Sequence, residues 1–281
     1  MKYQFIFLLL FLVPYLIFAQ IDSTFEKSRP TYLELATGIG STKMRDFATS
    51  PLFYQGPSVR ATIGRLAFDS LRESALRFTY HGGGLSSGTG KDDSQSSFQS
   101  LSLSYGRLYH LQAISNSKWN VKVGGEVNVV GNLRGNHDLF NAALGTEMIA
   151  NIFAVAQVGK DVSRKTTKQK KFLFVNYHLK PRKRYLSYAL KTGLLNSSYR
   201  NSFSYIGDYA LVNEDNPFKD YQFNFFSGFR IASSLDYTIY LENRNAVRIS
   251  YVTDIYKTKG DVESLEVAQY ALKIALLFNT K

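Results

Sequence analysis

Over most of this chain apolar and polar residues alternate one by one, and the apolar set is large and aromatic. The clearest stretch lies near the C-terminus. Ala268, Tyr270, Leu272, Ile274, Leu276 and Phe278 take every second position, with Gln269, Ala271, Lys273, Ala275, Leu277 and Asn279 between them. A period of two with one strongly apolar face is the mark of a strand lying against a hydrophobic medium. Upstream, Val247, Ile249, Tyr251 and Ile255 alternate with Arg248, Ser250 and Asp254, and Tyr221, Phe223, Phe225, Phe229 and Ile231 alternate with Gln222, Asn224, Gly228, Arg230 and Ala232. Val121, Val123, Val127 and Val129 are interleaved with Lys122, Gly124, Glu126 and Asn128, and Leu186, Tyr188, Leu190 and Leu194 with Ser187, Ala189, Lys191 and Gly193.

The pattern predicts strands near 31–40, 56–68, 74–81, 98–110, 118–130, 145–159, 171–179, 184–195, 221–237, 246–256 and 265–279. Soluble sandwiches alternate too. Here, however, the apolar faces keep large residues for the whole strand length, and the polar faces carry small residues and isolated charges. A wall between lipid and a wet lumen has that composition. The expected fold is therefore all-β: an antiparallel up-and-down transmembrane β-barrel of about 12 strands, with 10 as the alternative. Eleven segments cannot close such a barrel with both termini on one side. Either a strand is missing, with 201–212 the candidate, or one segment is not a strand. The suspect is 146–159, whose two faces are equally apolar and whose Leu144, Met148, Ile152 and Val155 also fit helical spacing. Short turns are expected at 69–73, 112–118 and 242–245, and long Gly-, Asn- and Ser-rich loops at 82–97, 131–141 and 196–220.

The N-terminus changes the setting. Lys2 precedes an apolar run from Phe5 to Phe18, which ends at Ala19-Gln20 before polar residues begin. A single charge, a short apolar core and a small residue at its end form a secretory signal, and the run is too short for a comfortable membrane helix. Residues 1–19 are expected to be a cleaved signal peptide and 20–281 the barrel domain. The chain has no Cys, which excludes disulfides, thiolate metal sites and a lipoprotein anchor. Six Pro, none in a linker-like run, fit one domain. Nineteen Tyr, 21 Phe and one Trp suit aromatic interface girdles. A mean hydropathy of −0.17 fits strands with only one apolar face.

The net charge of +12 is concentrated: between Lys160 and Arg184, ten Lys and Arg stand against Asp161 alone. This segment suits phosphates of lipopolysaccharide or of inner-leaflet headgroups, or else forms two solvated turns. Nucleic acid is no expected partner of an exported chain. The expected partners are outer-membrane lipids and lipopolysaccharide, the barrel-assembly machinery, and an unknown protein at the outer loops.

These features together resemble outer-membrane β-barrel proteins of Bacteroidetes-type, Gram-negative bacteria. The resemblance rests on the Phe18-Ala19-Gln20 processing site, the absence of Cys, the aromatic strands and the terminus at 267–278. It covers nearly the whole chain after residue 20, with no specific motif. It implies an outer-membrane location and a last strand read by the assembly machinery, and it transfers no site residues.

Candidate chemistry is sparse. Tyr80-His81-Gly82-Gly83-Gly84-Leu85-Ser86-Ser87 ends a strand at an expected outer loop. Outer-membrane lipid hydrolases pair a His base with a Ser nucleophile at the barrel rim, so His81 and Ser86 are the catalytic candidates. The spacing departs from those families, and the plain alternative is a Gly-Ser loop with an incidental His. The 84–91 stretch fails as a phosphate loop because Asp92 stands where Ser or Thr is needed. His81, His110, His137 and His178 share no metal-ligand spacing, so no metal and no cofactor are expected; His178 is placed facing the lumen beside Asn176. The lumen-lining candidates are Lys122, Glu126, Lys191, Arg230, Arg248, Asp254 and Lys273, with Glu34, Arg60, Arg77, Asp236 and Glu266 as further members. Such mixed charges line a water-filled pore or interlock to fill a narrow barrel. Three functions follow: a passive channel or a structural and accessory component, a rim-sited lipid hydrolase, or a binding module acting through 197–220.

Overall fold

The computed structural model describes residues 29–88, 93–136, 138–139, 144–172, 175–201 and 221–280. The expected signal peptide and nearly all of the candidate strand 201–212 lie outside them. Thirteen strands run in chain order: β1 Thr31–Asp46, β2 Ser50–Phe68, β3 Arg72–Ser86, β4 Gln95–His110, β5 Asn120–Gly135, β6 Leu144–Asp161, β7 Lys168–Phe172, β8 Val175–Leu179, β9 Arg184–Asn201, β10 Tyr221–Asn224, β11 Phe229–Tyr240, β12 Ala246–Lys257 and β13 Leu265–Asn279. Each of β1 to β5 pairs antiparallel with the next, β6 pairs with β9, and β9, β11, β12 and β13 lead back to β1. The result is a closed barrel of ten strands, with no free edge between them. Among the described residues no helix is long and apolar enough to cross a membrane.

Register fixes the two ends. Tyr32 pairs with Asn279, so the first and last strands close at one end, here called the terminal end; Asp46 pairs with Leu265 at the other, distal end. Hairpin turns at 69–71 and 241–245 lie at the terminal end. In the first, Asp69 Oδ1 accepts from the backbone N–H groups of Leu71 and Arg72, both at 2.7 Å. In the second, Arg244 takes a positive φ of 66°.

The barrel is inside-out relative to a soluble protein. Its buried side chains are largely polar, whereas Ile39 is 71% exposed and large apolar side chains stand half-exposed on every barrel strand, among them Ile63, Phe78, Leu103, Val127, Ile152, Leu190 and Leu235. A continuous apolar belt of this extent has no counterpart on a monomeric soluble surface. Aromatic residues mark its margins, with Trp119 and Lys160 in contact at the terminal end (4.9 Å) and Phe47, Phe53, Phe225 and Phe226 at the distal end.

The strand count is the alternative of 10 and not the favoured 12. The segment 146–159 is a regular barrel strand within β6. Both its faces are apolar because Ile149, Phe153 and Val155 pack inside the barrel while Met148 and Ile152 face outward. The segment to remove is 171–179. It forms the β7–β8 hairpin, a separate two-stranded sheet in which Lys168 pairs with Leu179 and Phe172 with Val175. The hairpin continues the β6–β9 ladder outward from the terminal end, through Val162 N to Arg184 O at 3.0 Å and the Arg164–Arg182 bridge. His178 and Asn176 therefore sit in the hairpin and not on the barrel wall, which corrects their lumen placement. The ladder persists there because an exposed hairpin needs only its own backbone pairs.

The short strand β10 pairs with the distal end of β9, Tyr221 opposite Asn201, and β11 pairs with the rest of β9. The two occupy one barrel position, interrupted at 225–228. Gly228 makes the interruption possible: its φ is +70°, and a Cβ there would stand 1.8 Å from the Lys257 carbonyl oxygen. Gly228→Ala is expected to cost about 1–3 kcal/mol, read as a lower urea midpoint of the refolded barrel.

Candidate functional site

The alternation of each strand decides which side chains enter the lumen. Lys122, Glu126, Arg230, Arg248, Asp254 and Lys273 lie inward and buried, and Lys191 lies inward against Glu126. Glu34, Arg60, Arg77 and Asp236 also sit on inward positions, by the burial patterns of β1, β2, β3 and β11. Glu266 does not. It shares the outward face of β13 with Ala268 and Tyr270 and pairs there with Arg45 and Lys257.

Inside, the charges lock together in tiers. Near the terminal end, Lys122 donates to the Asp69 carbonyl oxygen at 2.6 Å and stands 3.8 Å from Glu73. Above it, Glu34, 0% exposed, accepts from Arg77 Nε at 2.7 Å and from Lys273 Nζ at 3.1 Å. Arg248 donates to Thr238 at 3.0 Å and lies over the Phe68 ring. Glu126 receives Lys191 through both oxygens at 2.7 and 2.6 Å. At mid-height, Arg230 grips Asp254 with two parallel bonds of 2.9 and 2.6 Å. Its Nη1 reaches Asn128 and Asn151 at 2.9 and 2.6 Å, and its plane lies over the Phe153 and Tyr256 rings. Such fork-to-fork geometry recovers much of the cost of desolvating both charges.

The distal tier escaped sequence reading. Asp46 bridges Arg134 and Arg200, Arg134 also donates to Glu147 at 2.8 Å, and Arg200 also donates to Thr258 at 3.2 Å. Asn132 joins Glu147 to the Tyr256 hydroxyl, both at 3.0 Å. Beside these charges, Met44, Tyr54, Leu85, Phe98, Val130, Ile149, Tyr256, Leu265 and Val267 form one buried apolar cluster, drawn from eight strands around the circumference. A second cluster, containing Tyr32, Leu66, Ala75, Ala246, Ala275 and Leu277, fills one side near the terminal end, with Phe68 and Tyr240 packed on it. Between the two clusters is a cavity of about 160 Å³ with Arg60, Arg77, Glu126, Lys191, Arg230 and Asp254 in its lining. Polar walls and that volume give room for several waters.

The catalytic candidates are not brought together. His81 is buried in the lumen, its Nε2 at 2.9 Å from Thr42 Oγ1 and its ring edge-on to Phe98. Ser86 lies five residues along the same strand, which is about 16 Å at the usual rise, and on the opposite face. No base–nucleophile contact exists between them. Among the described residues no group of His, Asp and Glu is arranged to hold a metal ion. His137 and loop residues 202–220 lie outside the described residues, while Ser197 belongs to β9.

No protein-family model and no curated protein matches the sequence. Solved structures do align over nearly the full length. The transport unit of the autotransporter AIDA-I from Escherichia coli is 8% identical, with 94% of each chain covered and a TM-score of 0.43. The translocator domain of the autotransporter NalP from Neisseria meningitidis is 8% identical, covering 92% of this chain and 90% of that one, at a TM-score of 0.37. A Pseudomonas aeruginosa FadL homologue is 7% identical, with 91% of each covered and a TM-score of 0.29. The class of this protein is set by its own geometry: a closed ten-stranded antiparallel barrel, apolar outside and polar within.

Proposed function

We propose that the chain is an exported outer-membrane β-barrel with a closed lumen, serving as a structural or accessory membrane component and not as an open channel. Closed barrels and helices alone satisfy every backbone polar group in lipid, and the apolar belt supplies the lipid-facing surface. With both barrel termini in the periplasm, the basic hairpin β7–β8 lies on the periplasmic side, near inner-leaflet headgroups. The aromatic-ended β13 supports assembly by the barrel-assembly machinery.

The filled lumen carries the reading. Large side chains on the inward face of eight strands, among them Phe98 and Leu265 at 0% exposure, crowd the distal half of the lumen and support a closed interior. The interlocked ion pairs below them hold the interior charges on each other and not on permeating ions. Refolded protein that shifts on a heat-modifiability gel is expected to be silent in planar-bilayer recordings. Steady single-channel conductance from the same preparation would overturn the closed-lumen reading.

A further inference from the structure

The outer wall at the distal end carries a charged row that the lumen does not explain. Lys257 of β12, Glu266 of β13 and Arg45 of β1 are direct neighbours in register, and all three face outward. Arg45 donates to Glu266 through Nε and Nη2 at 3.0 and 2.6 Å, and Lys257 reaches the other carboxylate oxygen at 2.6 Å. Lys43, two residues from Arg45 on the same face, has its Nζ 4.4 Å from the centre of the Phe53 ring. The Arg45 guanidinium contacts both Phe47 and Phe53, at 4.4 and 4.1 Å. Three cations thus stand on this outer wall, of which Arg45 and Lys257 share the Glu266 carboxylate and Lys43 lies against Phe53. The rings hold two of the cations in place.

Depth gives the row its meaning. Toward mid-barrel on the same strands the outward face turns apolar, with Ile39 on β1, Val59 on β2, Ile255 on β12 and Leu272 on β13. The change from Lys43 to Ile39 takes four residues, about 13 Å along the tilted strand. Aromatic rings at that level mark the bilayer interface. A cation left unpaired against hydrocarbon is costly, whereas at headgroup depth it meets anionic phosphate. We propose that Lys43, Arg45 and Lys257 form a binding site for a phosphorylated lipid headgroup in the distal leaflet, which in the outer membrane means the lipid A phosphates, with the acyl chains lying along Ile39, Val59 and Leu272. The site rests on the membrane-barrel reading.

The test is native mass spectrometry of the full refolded barrel in detergent micelles. The barrel is titrated with bisphosphorylated lipid A, with the same lipid after dephosphorylation, and with inorganic phosphate. Lipid A is expected to bind tightest, the dephosphorylated lipid weakly, and inorganic phosphate not at all. Lys43→Gln with Arg45→Gln should weaken lipid A binding roughly fivefold per cation removed. Arg107→Gln, an outward charge at the terminal end, should leave it unchanged. Should the double variant fail the heat-modifiability gel, Lys257→Gln alone carries the test. Equal binding of both lipids, or wild-type affinity in these variants, would overturn the lipid-phosphate site. Binding of inorganic phosphate as strong as that of lipid A would overturn its assignment to a lipid. A chain that folds without detergent and enters no bilayer would instead refute the membrane reading, a separate outcome.

Discussion

Asp46→Asn is expected to destabilise the barrel by about 3–5 kcal/mol. Among the described residues Asp46 is the only carboxylate in ion-pair contact with both Arg134 and Arg200, and Arg200 is 1% exposed. Asn keeps the shape and removes the charge, so two guanidiniums are left with Glu147, which among the described residues pairs only with Arg134. Both arginines are buried beside the apolar cluster of Met44, Tyr54, Phe98 and Leu265. The measurement is urea unfolding of the refolded protein in micelles, with the heat-modifiability gel as a check of folding. The control is Glu266→Gln on the outer wall. It removes two ion pairs of similar length from a solvent-accessible position and is expected to cost less than about 1 kcal/mol. Equal losses for the two variants would mean that the distal tier is not sealed, and the closed-lumen reading would fall with it.

The same contrast explains what the sequence could reveal. The strand 265–279 was legible to its last residues because a lipid-facing wall demands large apolar side chains at its outward positions from Tyr270 to Phe278, so the period of two is unbroken there. The barrel wall was therefore readable, and so were the inward charges embedded in its clear strands, such as Lys122, Arg230 and Lys273. Strand ends were not. Above the belt, outward positions such as Lys43 and Arg45 are charged, so β1 reads as ending at residue 40 although its ladder continues to Asp46. The glycines at 82–84 read as loop, yet they lie in β3; a Cβ on Gly83 would stand 2.2 Å from the Pro57 carbonyl oxygen, so the close strand approach itself requires glycine. These truncations hid the distal tier, because Asp46, Arg134 and Arg200 all fall beyond the predicted ends. Continuing the alternation through Thr42, Met44 and Asp46 would have found the first of them. Pairings such as Glu34 with Lys273 or Asp46 with Arg200 join residues far apart in the chain, and only the closed register brings them together. Strand number failed for a different reason. An exposed basic hairpin and a barrel strand alternate alike over nine residues, and only pairing partners separate them.

Ile274→Arg tests the other half of the architecture, the belt. Ile274 is 52% exposed and sits midway along the apolar face of β13, opposite Thr37 of β1 and Ile249 of β12. If that face meets hydrocarbon, an arginine there is expected to cost about 2–4 kcal/mol, as at the bilayer midplane of other barrels. If it met water, a half-exposed Ile→Arg change would fall within about 0.5 kcal/mol of neutral. The two expectations do not overlap, so one folding titration in vesicles separates them. A depth series sharpens the result. Phe278→Arg lies on the same outward face at the terminal end, where the cost should drop to about 0–1 kcal/mol, because the long side chain reaches the interface. A gradient from Ile274 to Phe278 identifies the belt as a membrane span and sets its vertical position. That position in turn fixes the height of Arg45 and Lys257 on the distal wall. A flat, near-neutral series would place this outward face in water, and the apolar belt would then need a protein partner to cover it.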